Sequence, residues 1–566
     1  MLPALSRRGP DDEGVHVEPG VGLGHSRLSI LDLSPAGHQP MQDPELDLAV
    51  VFNGEIYNFR MLRDELAAQG YTFRSTGDTE VLLKAYHAWG DAFVQRLNGM
   101  FAFCLYDRKR RRAVFARDRL GIKPLYYAPA PDRLVFASNI QALKAAGAVT
   151  GELDPIALHH YLTFHAIVPA PRTVLAGVHK LEPGTMMTVE ADGTATRRRY
   201  WDVTFRPDPG PGEDEWVAAV LDGLERSVER RLVSDVPVGA LLSGGTDSSL
   251  IVGLMARRLP TFRTYSIGFE DVDTEAGNEF RYSDLVAERF GTEHRRIFVD
   301  SRRLLPALAD CVATMAEPMV SHDTIGFYLL AEEVSKETKV VLTGQGADEL
   351  FGGYHWYPKI HAGTGDAVER YRRHFFDRDH REVLDALAPA YHPPTDVSTA
   401  FVCDQFARFD GEGPVDKALR LDTTVMLVDD PVKRVDNMTM AWGLEARVPF
   451  LDHELVELAA RIPAAFKLCD GGKGVLKRVA RQVVPPEVID RPKGYFPVPA
   501  LKYLRGEYLD FARGVLDSHR ARTRDVFRRP YVDHLLADPG AHLTPLDGSK
   551  LWQVTLLEYW LQQLGL

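Results

Sequence analysis

The run Leu241-Leu242-Ser243-Gly244-Gly245-Thr246-Asp247-Ser248-Ser249 constrains this chain more than any other stretch. An apolar approach (Val236, Val238, Ala240 to Leu242) leads into it, and Leu250-Ile251-Val252-Gly253 leaves it as a helix would. Strand, small-residue loop and helix start, in that order, make a cradle for a polyphosphate. The paired glycines let the backbone approach phosphate oxygens, while serine hydroxyls and backbone N–H groups donate at the positive end of the helix. Asp247 adds a carboxylate able to hold Mg²⁺ against those phosphates. The Gly-Lys-Ser/Thr ending of a P-loop is absent, which separates this loop from those of kinases and GTPases. A plain helix cap would account for the composition of this loop taken alone.

A second cluster runs from Thr343 to Tyr354 and includes Gly344-Gln345-Gly346-Ala347-Asp348-Glu349. It follows the apolar Val340-Val341-Leu342 and again places glycines and a carboxylate after a strand. Ligands collect at that edge of a doubly wound sheet. Two such loops can face one nucleotide, with Asp247 and Asp348 sharing a metal ion. A third run, Asp436 to Asp452, is polar within an apolar frame; its bland reading is a buried, salt-bridged helix end. Lys493, in Arg491-Pro492-Lys493-Gly494-Tyr495-Phe496, reads equally as a surface lysine.

At 566 residues the chain has room for two to four domains. Short apolar runs such as 48–52, 102–106 and 113–116 read as strands, with helices over 59–69 and 79–89 between them. This first block is expected to be α+β with a largely antiparallel sheet. The Pro- and Gly-rich stretch 206–212 is the clearest linker, followed by a helix over 216–232. Further strands at 263–269 and 339–343, alternating with helices, imply a parallel doubly wound sheet. From about residue 365 the pattern is mostly helical.

The net charge of −12 argues against nucleic acid or a membrane surface as the main partner. No window approaches the roughly 18 apolar residues of a membrane span, and no signal-peptide core is present. Cys104, Cys311, Cys403 and Cys469 are scattered without CxxC spacing, as in reduced thiols. A cytoplasmic protein with small-molecule partners is expected, with a homodimer as an option.

The four segments, in this order, resemble the asparagine-synthetase family of glutamine-dependent amidotransferases. The loop at Ser243 then resembles the SGGxDS loop of the ATP pyrophosphatases, which split ATP between its α and β phosphates and hand AMP to a substrate. The likeness extends through residues 5–14, 23–34, 53–58, 76–81, 98–103 and 117–127, which look like the family's glutaminase domain. It implies an α+β domain of N-terminal-nucleophile type over residues 1–204. A doubly wound α/β synthetase domain with a helical C-terminal part is implied over 213–566. ATP and Mg²⁺ are implied as cofactors. A carboxylate would become a mixed anhydride with AMP, which ammonia displaces to give an amide. By resemblance Leu241, Ile267 and Gly344 line the adenine and ribose, and Ser243, Gly244, Gly245, Asp247 and Ser248 hold pyrophosphate. Asp247 and Asp348 would hold the metal. Lys493, with Asp348, would stabilise charge building at the α-phosphate. In the first domain Arg27 would bind the α-carboxylate of glutamine and Asp78 its α-amine. Asn53 and Gly54 would form the oxyanion hole, beside Glu55.

Two departures matter. Asparagine synthetases carry Glu where Gln345 stands, and a neutral amide cannot act as a base in amide formation. Plain aspartate is therefore disfavoured as the acceptor. Residues 159–171, 279–284, 353–358, 429–437 and 493–505 resemble a narrower branch, the N-acetylglutaminylglutamine amidotransferases. That branch amidates the C-terminal carboxylate of an acetylated dipeptide to make an osmoprotectant. The second departure is the family's N-terminal cysteine, whose own α-amine serves as base. Residue 1 is Met and residue 2 is Leu, so the nucleophile, the opening strand and most of a helix are not in this sequence. A start assigned late, at an internal methionine, is favoured over natural loss of the glutaminase. As written, the chain is expected to use free ammonia and to expose an unpaired sheet edge. Cys104 reads as a core residue. Competing readings are asparagine synthetase, a macrolactam-forming cyclase using an internal amine, and a non-catalytic pseudoenzyme; intact Asp247, Asp348 and Lys493 argue against the last.

Overall fold

The apolar runs of the first block become strands because each has one face or both to bury. The computed structural model describes residues 1–270, 278–409, 413–491 and 504–566. Among the described residues, strands β1 (Asp12–Glu18) and β2 (Val21–Arg27) pair only with each other. Strands β3 (Met41–Asp43), β4 (Leu48–Ile56), β5 (Gly99–Asp107) and β6 (Arg112–Arg117) follow. They join β10 (Thr185–Val189) and β11 (Ala195–Arg199) in one antiparallel sheet, ordered β11-β10-β6-β5-β4-β3. A separate three-stranded sheet holds β7 (Tyr126–Ala130), β8 (Arg133–Ala137) and β9 (His179–Lys180). Helices Phe59–Ala68 and Thr79–Trp89 cover the larger sheet through Leu62, Leu66, Leu82 and Tyr86.

The sequence suggested one sheet here, whereas three form. The change of sheet after β6 is made by Asp118, a buried carboxylate that accepts from the backbone N–H groups of Phe101, Leu120, Ile122 and Lys123 at 2.9–3.1 Å. It folds the Arg117–Tyr127 stretch back on itself, so β7 leaves the plane of β6.

Beyond the linker, the helix Glu213–Arg231 leads into a parallel sheet of β12 (Val238–Leu241), β13 (Arg263–Gly268), β14 (Glu293–Phe298), β15 (Val340–Leu342) and β16 (Glu445–Arg447). Its order is β14-β13-β12-β15-β16, so the direction of winding reverses between β12 and β15. The linker is not loose: Arg461 donates a side-chain bond to Asp208 and accepts one from its backbone N–H, both at 2.8 Å.

One core spans both parts. The helix Pro155–Thr163, which precedes the linker, buries Leu158, Tyr161 and Leu162 with Val341, Leu444 and Trp560. Tyr161 donates its hydroxyl to the Gln553 carbonyl at 2.8 Å, and Gln553 Nε2 returns a bond to the Tyr161 carbonyl at 2.7 Å. Among the described residues, no helix is long and apolar enough to cross a membrane.

Candidate active site

The two glycine-bearing loops leave β12 and β15, the neighbours on either side of the winding reversal, where ligands bind in open parallel sheets. Between them lies a cavity of about 180 Å³. Leu241, Ile267, Gly344, Gln345 and Asp348 line it, and so do Ser243, Gly245, Asp247 and Ser248. Phe269, Phe327 and Leu330 add an apolar wall that suits a base. The helix Thr246–Ala256 starts beside the cavity, and its cap Gly245 has no side chain to obstruct the N–H groups. Ser248 Oγ accepts from the Ser243 backbone N–H at 3.2 Å and lies 3.0 Å from Ser243 Oγ, which fixes the loop's shape.

Glycine is required at two of these positions. Gly244 has φ +76°, and a Cβ there would stand 2.8 Å from the Ser283 nitrogen. At Gly344 a Cβ would fall 3.0 Å from the Ser248 nitrogen and 3.1 Å from Asp247 Cβ. The two loops thus touch backbone to backbone.

The carboxylates of Asp247 and Asp348 converge on one cation, Lys473, whose Nζ lies 2.6 Å from the first and 2.9 Å from the second. Both acids hold the buried ammonium well above its ordinary range, so it stays charged. The Lys473 backbone is left-handed at φ +59°, a conformation that costs a non-glycine residue about 1–3 kcal/mol and clusters at functional sites. Sequence reasoning missed this lysine, because Asp470-Gly471-Gly472-Lys473-Gly474 reads as a turn. Lys493 lies outside the described residues. Arg491, two positions earlier, donates to Glu279 at 2.9 Å and stacks over Tyr282, with its guanidinium 3.8 Å from where a Gly245 Cβ would be.

Glu349, also missed, is buried behind the second loop and accepts from the Tyr354 hydroxyl at 2.6 Å. Burial, and then the neighbouring Asp348 charge, raise it from 4.5 to about 7. The folded state therefore binds this proton more tightly than the unfolded chain does. Its stabilising effect is full below about pH 4.5 and is lost as pH rises through 7. Glu349→Gln is expected to flatten the fall in urea midpoint between pH 5 and pH 8. Asp78 and Asp422, both raised to about 6 by burial, leave a residual slope. An unchanged slope in Glu349→Gln would show that the carboxyl does not titrate in this range.

A second cavity, of about 380 Å³, gathers Arg27, Asn53, Gly54, Glu55 and Asp78. Residues of β2 and of β8 both line it, and among the described residues β2 pairs only with β1 and β8 only with β7. Arg27 is buried and donates to the carbonyls of Leu31 and Asp32 at 3.0 and 2.6 Å. Asp78 accepts from the Ile56 N–H at 2.8 Å. Cys104 lines this cavity too, and burial pushes its thiol up, away from the reactive thiolate.

The last strand of the synthetase sheet backs the second cavity. Glu445 of β16 lines it, and the fully buried Arg447 joins Glu445 at 2.8 Å to Glu55 at 3.3 Å. Lys123 and Arg8 reach Asp436 at 3.2 and 2.9 Å. The polar run 436–452 is therefore salt-bridged and buried, with Arg8, Glu55 and Lys123 of the first part and Arg230 and Arg231 of the second among its partners.

The family model described as asparagine synthase matches residues 219–562, and the one described as glutamine amidotransferase domain matches residues 1–201. Bacillus subtilis asparagine synthetase (glutamine-hydrolyzing) 1 is 33% identical over 600 residues, covering 99% of this chain and 92% of that protein. A putative asparagine synthetase (glutamine-hydrolyzing) of Mycobacterium tuberculosis strain H37Rv is 36% identical over 572 residues, with 91% and 86% covered. Amidase chry2 of Gibberella zeae is 28% identical over 567 residues, with 86% and 82% covered. The chain belongs to the asparagine synthase family and is an ATP-dependent carbon–nitrogen ligase.

Proposed function

We propose that this ligase activates the C-terminal carboxylate of an acetylated dipeptide, N-acetylglutaminylglutamine, as an acyl-adenylate and converts it to the amide with ammonia. The observation that carries the adenylation half is the pair of loops at the winding reversal, with Asp247 and Asp348 aimed at one cation. Leu241, Ile267 and Gly344 take the nucleoside, and the Ser243–Ser248 loop takes the β and γ phosphates. The two carboxylates fit Mg²⁺ by the same criterion, since they already share a cation. The ion would supply charge neutralisation on the pyrophosphate leaving group. Lys473 would then turn its ammonium to the phosphate oxygens, and Lys493 is assigned to the α-phosphate.

The acceptor rests on Gln345. It lines the cavity beside Asp348 and is uncharged, so it suits an acceptor that needs a hydrogen-bonding amide rather than a base. A second reading, aspartate as acceptor, is favoured by the names of the relatives at 33–36% identity. A relative at 28% identity is named an amidase rather than an asparagine synthetase. Pyrophosphate release from ATP separates the two readings: N-acetylglutaminylglutamine against aspartate, each with ammonium and then with glutamine. Turnover with the dipeptide alone supports the first reading. Turnover with aspartate alone replaces it with the second. The glutamine arms report whether the pocket around Arg27 and Asp78 delivers ammonia.

A further inference from the structure

We propose that His159, His380 and Asp396 form a binding site for a zinc-class divalent cation, outside the linings of both cavities. His159 belongs to the helix Pro155–Thr163, His380 opens the helix His380–Ala386, and Asp396 caps the helix Val397–Ala407. One ligand atom from each lies within 4.8 Å of the others. His159 Nε2 and His380 Nδ1 are 2.9 Å apart. With metal–nitrogen bonds of about 2.0–2.1 Å, two ligands on a tetrahedral ion stand roughly 3.3 Å apart. The histidine pair would open by a few tenths of an ångström and the Asp396 carboxylate would close in, from as far as 4.8 Å, to complete the site.

The surroundings already orient the ligands. His159 Nδ1 lies 2.7 Å from Ser398 Oγ, and that hydroxyl lies 3.0 Å from His160 Nδ1. If Nδ1–H of His159 donates to Ser398, the hydroxyl donates onward to His160. The lone pair of His159 Nε2 is then directed at the site. Metal-bound histidines have their tautomer fixed by an outer hydrogen bond of this kind. The two Asp396 oxygens accept from the Thr399 N–H and hydroxyl at 2.9 and 2.7 Å, and each retains a further lone pair. Arg372, 4.0 Å from Asp396, is the competing cation. His159 is buried, while His380 and Asp396 are half-buried, so an ion can enter from solvent and keep a water in its fourth position. Two imidazoles and one carboxylate select zinc or a similar borderline ion over Mg²⁺ or Ca²⁺.

The ion would be a clamp. His159 precedes the linker, whereas His380 and Asp396 follow it, so binding ties the two parts of the chain across their shared core. The bland alternative is a hydrogen-bonded imidazole pair that never meets a metal.

The test uses the full chain, stripped with chelator and titrated with Zn²⁺ alone by calorimetry, then with Co²⁺ by visible absorption. Wild type is compared with His380→Gln and Asp396→Asn; asparagine caps a helix about as well as aspartate, so the fold is preserved. Circular dichroism checks each variant, and Cys403→Ser removes the exposed thiol. Expected are one bound ion per chain, a higher melting temperature with Zn²⁺ and tetrahedral Co²⁺ bands. Affinity should fall about 100-fold in His380→Gln and at least tenfold in Asp396→Asn. No binding to wild type, equal binding to His380→Gln, or a cobalt–thiolate band lost in Cys403→Ser would overturn the proposal.

Discussion

Asp348→Ala is expected to lower the rate of carboxylate-dependent pyrophosphate release by about 10²–10³, the size of effect seen when one preorganised electrostatic group is lost from an active site. Asp348 and Asp247 lie on separate loops and both reach Lys473 Nζ, at 2.9 and 2.6 Å. Removing either leaves one carboxylate to balance the ammonium and too few oxygens to hold a divalent ion on the leaving group. Asp247→Ala should therefore behave alike. The double variant should fall little further, because groups that act as a unit are strongly non-additive. The fold should survive: Lys473 keeps one acidic partner in each single variant, and both acids are only half-buried. Retention of activity within about threefold in both single variants would remove this pair from the chemistry.

Arg447→Met is expected to cost about 3–5 kcal/mol of stability, the usual penalty for breaking a buried charge pair from one side. The Arg447 side chain is inaccessible to solvent and donates to the carbonyls of Arg231 and Val233 at 2.8 and 2.6 Å, besides meeting Glu445 and Glu55. Without it two buried carboxylates face each other across the joint between β16 and the glutamine-side cavity. Burial already holds Glu55 well above the ordinary carboxylate range, with Arg447 opposing that shift. Methionine fills much of the volume, so the loss reads charge and hydrogen bonding rather than a void. Adding Glu55→Gln and Glu445→Gln to the Met variant should recover part of the loss in urea unfolding. A change below about 1 kcal/mol in Arg447→Met would mean that the joint is held by apolar packing instead.

The synthetase cavity was legible because its parts are local. Each loop carries its own strand, glycines and acid within about a dozen residues, and the alternation of strands and helices brings both loops to one sheet edge. The roles of Leu241, Ile267 and Gly344 came from family resemblance, and the structure places them with Gln345 along that edge. Lys473 was hidden, since its partner Asp247 is 226 positions away and a Gly-Gly-Lys-Gly run looks like an exposed turn. Glu349 was hidden for another reason: nothing in Asp348-Glu349 tells which acid faces the ligand and which is buried behind Tyr354. Arg27, Asn53, Gly54, Glu55 and Asp78 came from family resemblance alone, because their meeting depends on how a hairpin, a sheet and a helix start pack together. The sheet break at Asp118 has the same origin, a carboxylate whose four backbone donors are visible only once the chain has turned. The burial of the helix Pro155–Thr163 against the C-terminal helix was likewise beyond local pattern, which placed it with the first block.

The measurement closest to the central claim is the fate of carboxylate oxygen. The acceptor is labelled with ¹⁸O in its reacting carboxylate and turned over with ATP and ammonium, and the products are read by mass spectrometry. An acyl-adenylate route predicts one labelled oxygen in AMP for each amide formed, with unlabelled pyrophosphate. Label in inorganic phosphate beside ADP, or AMP without label, would contradict it.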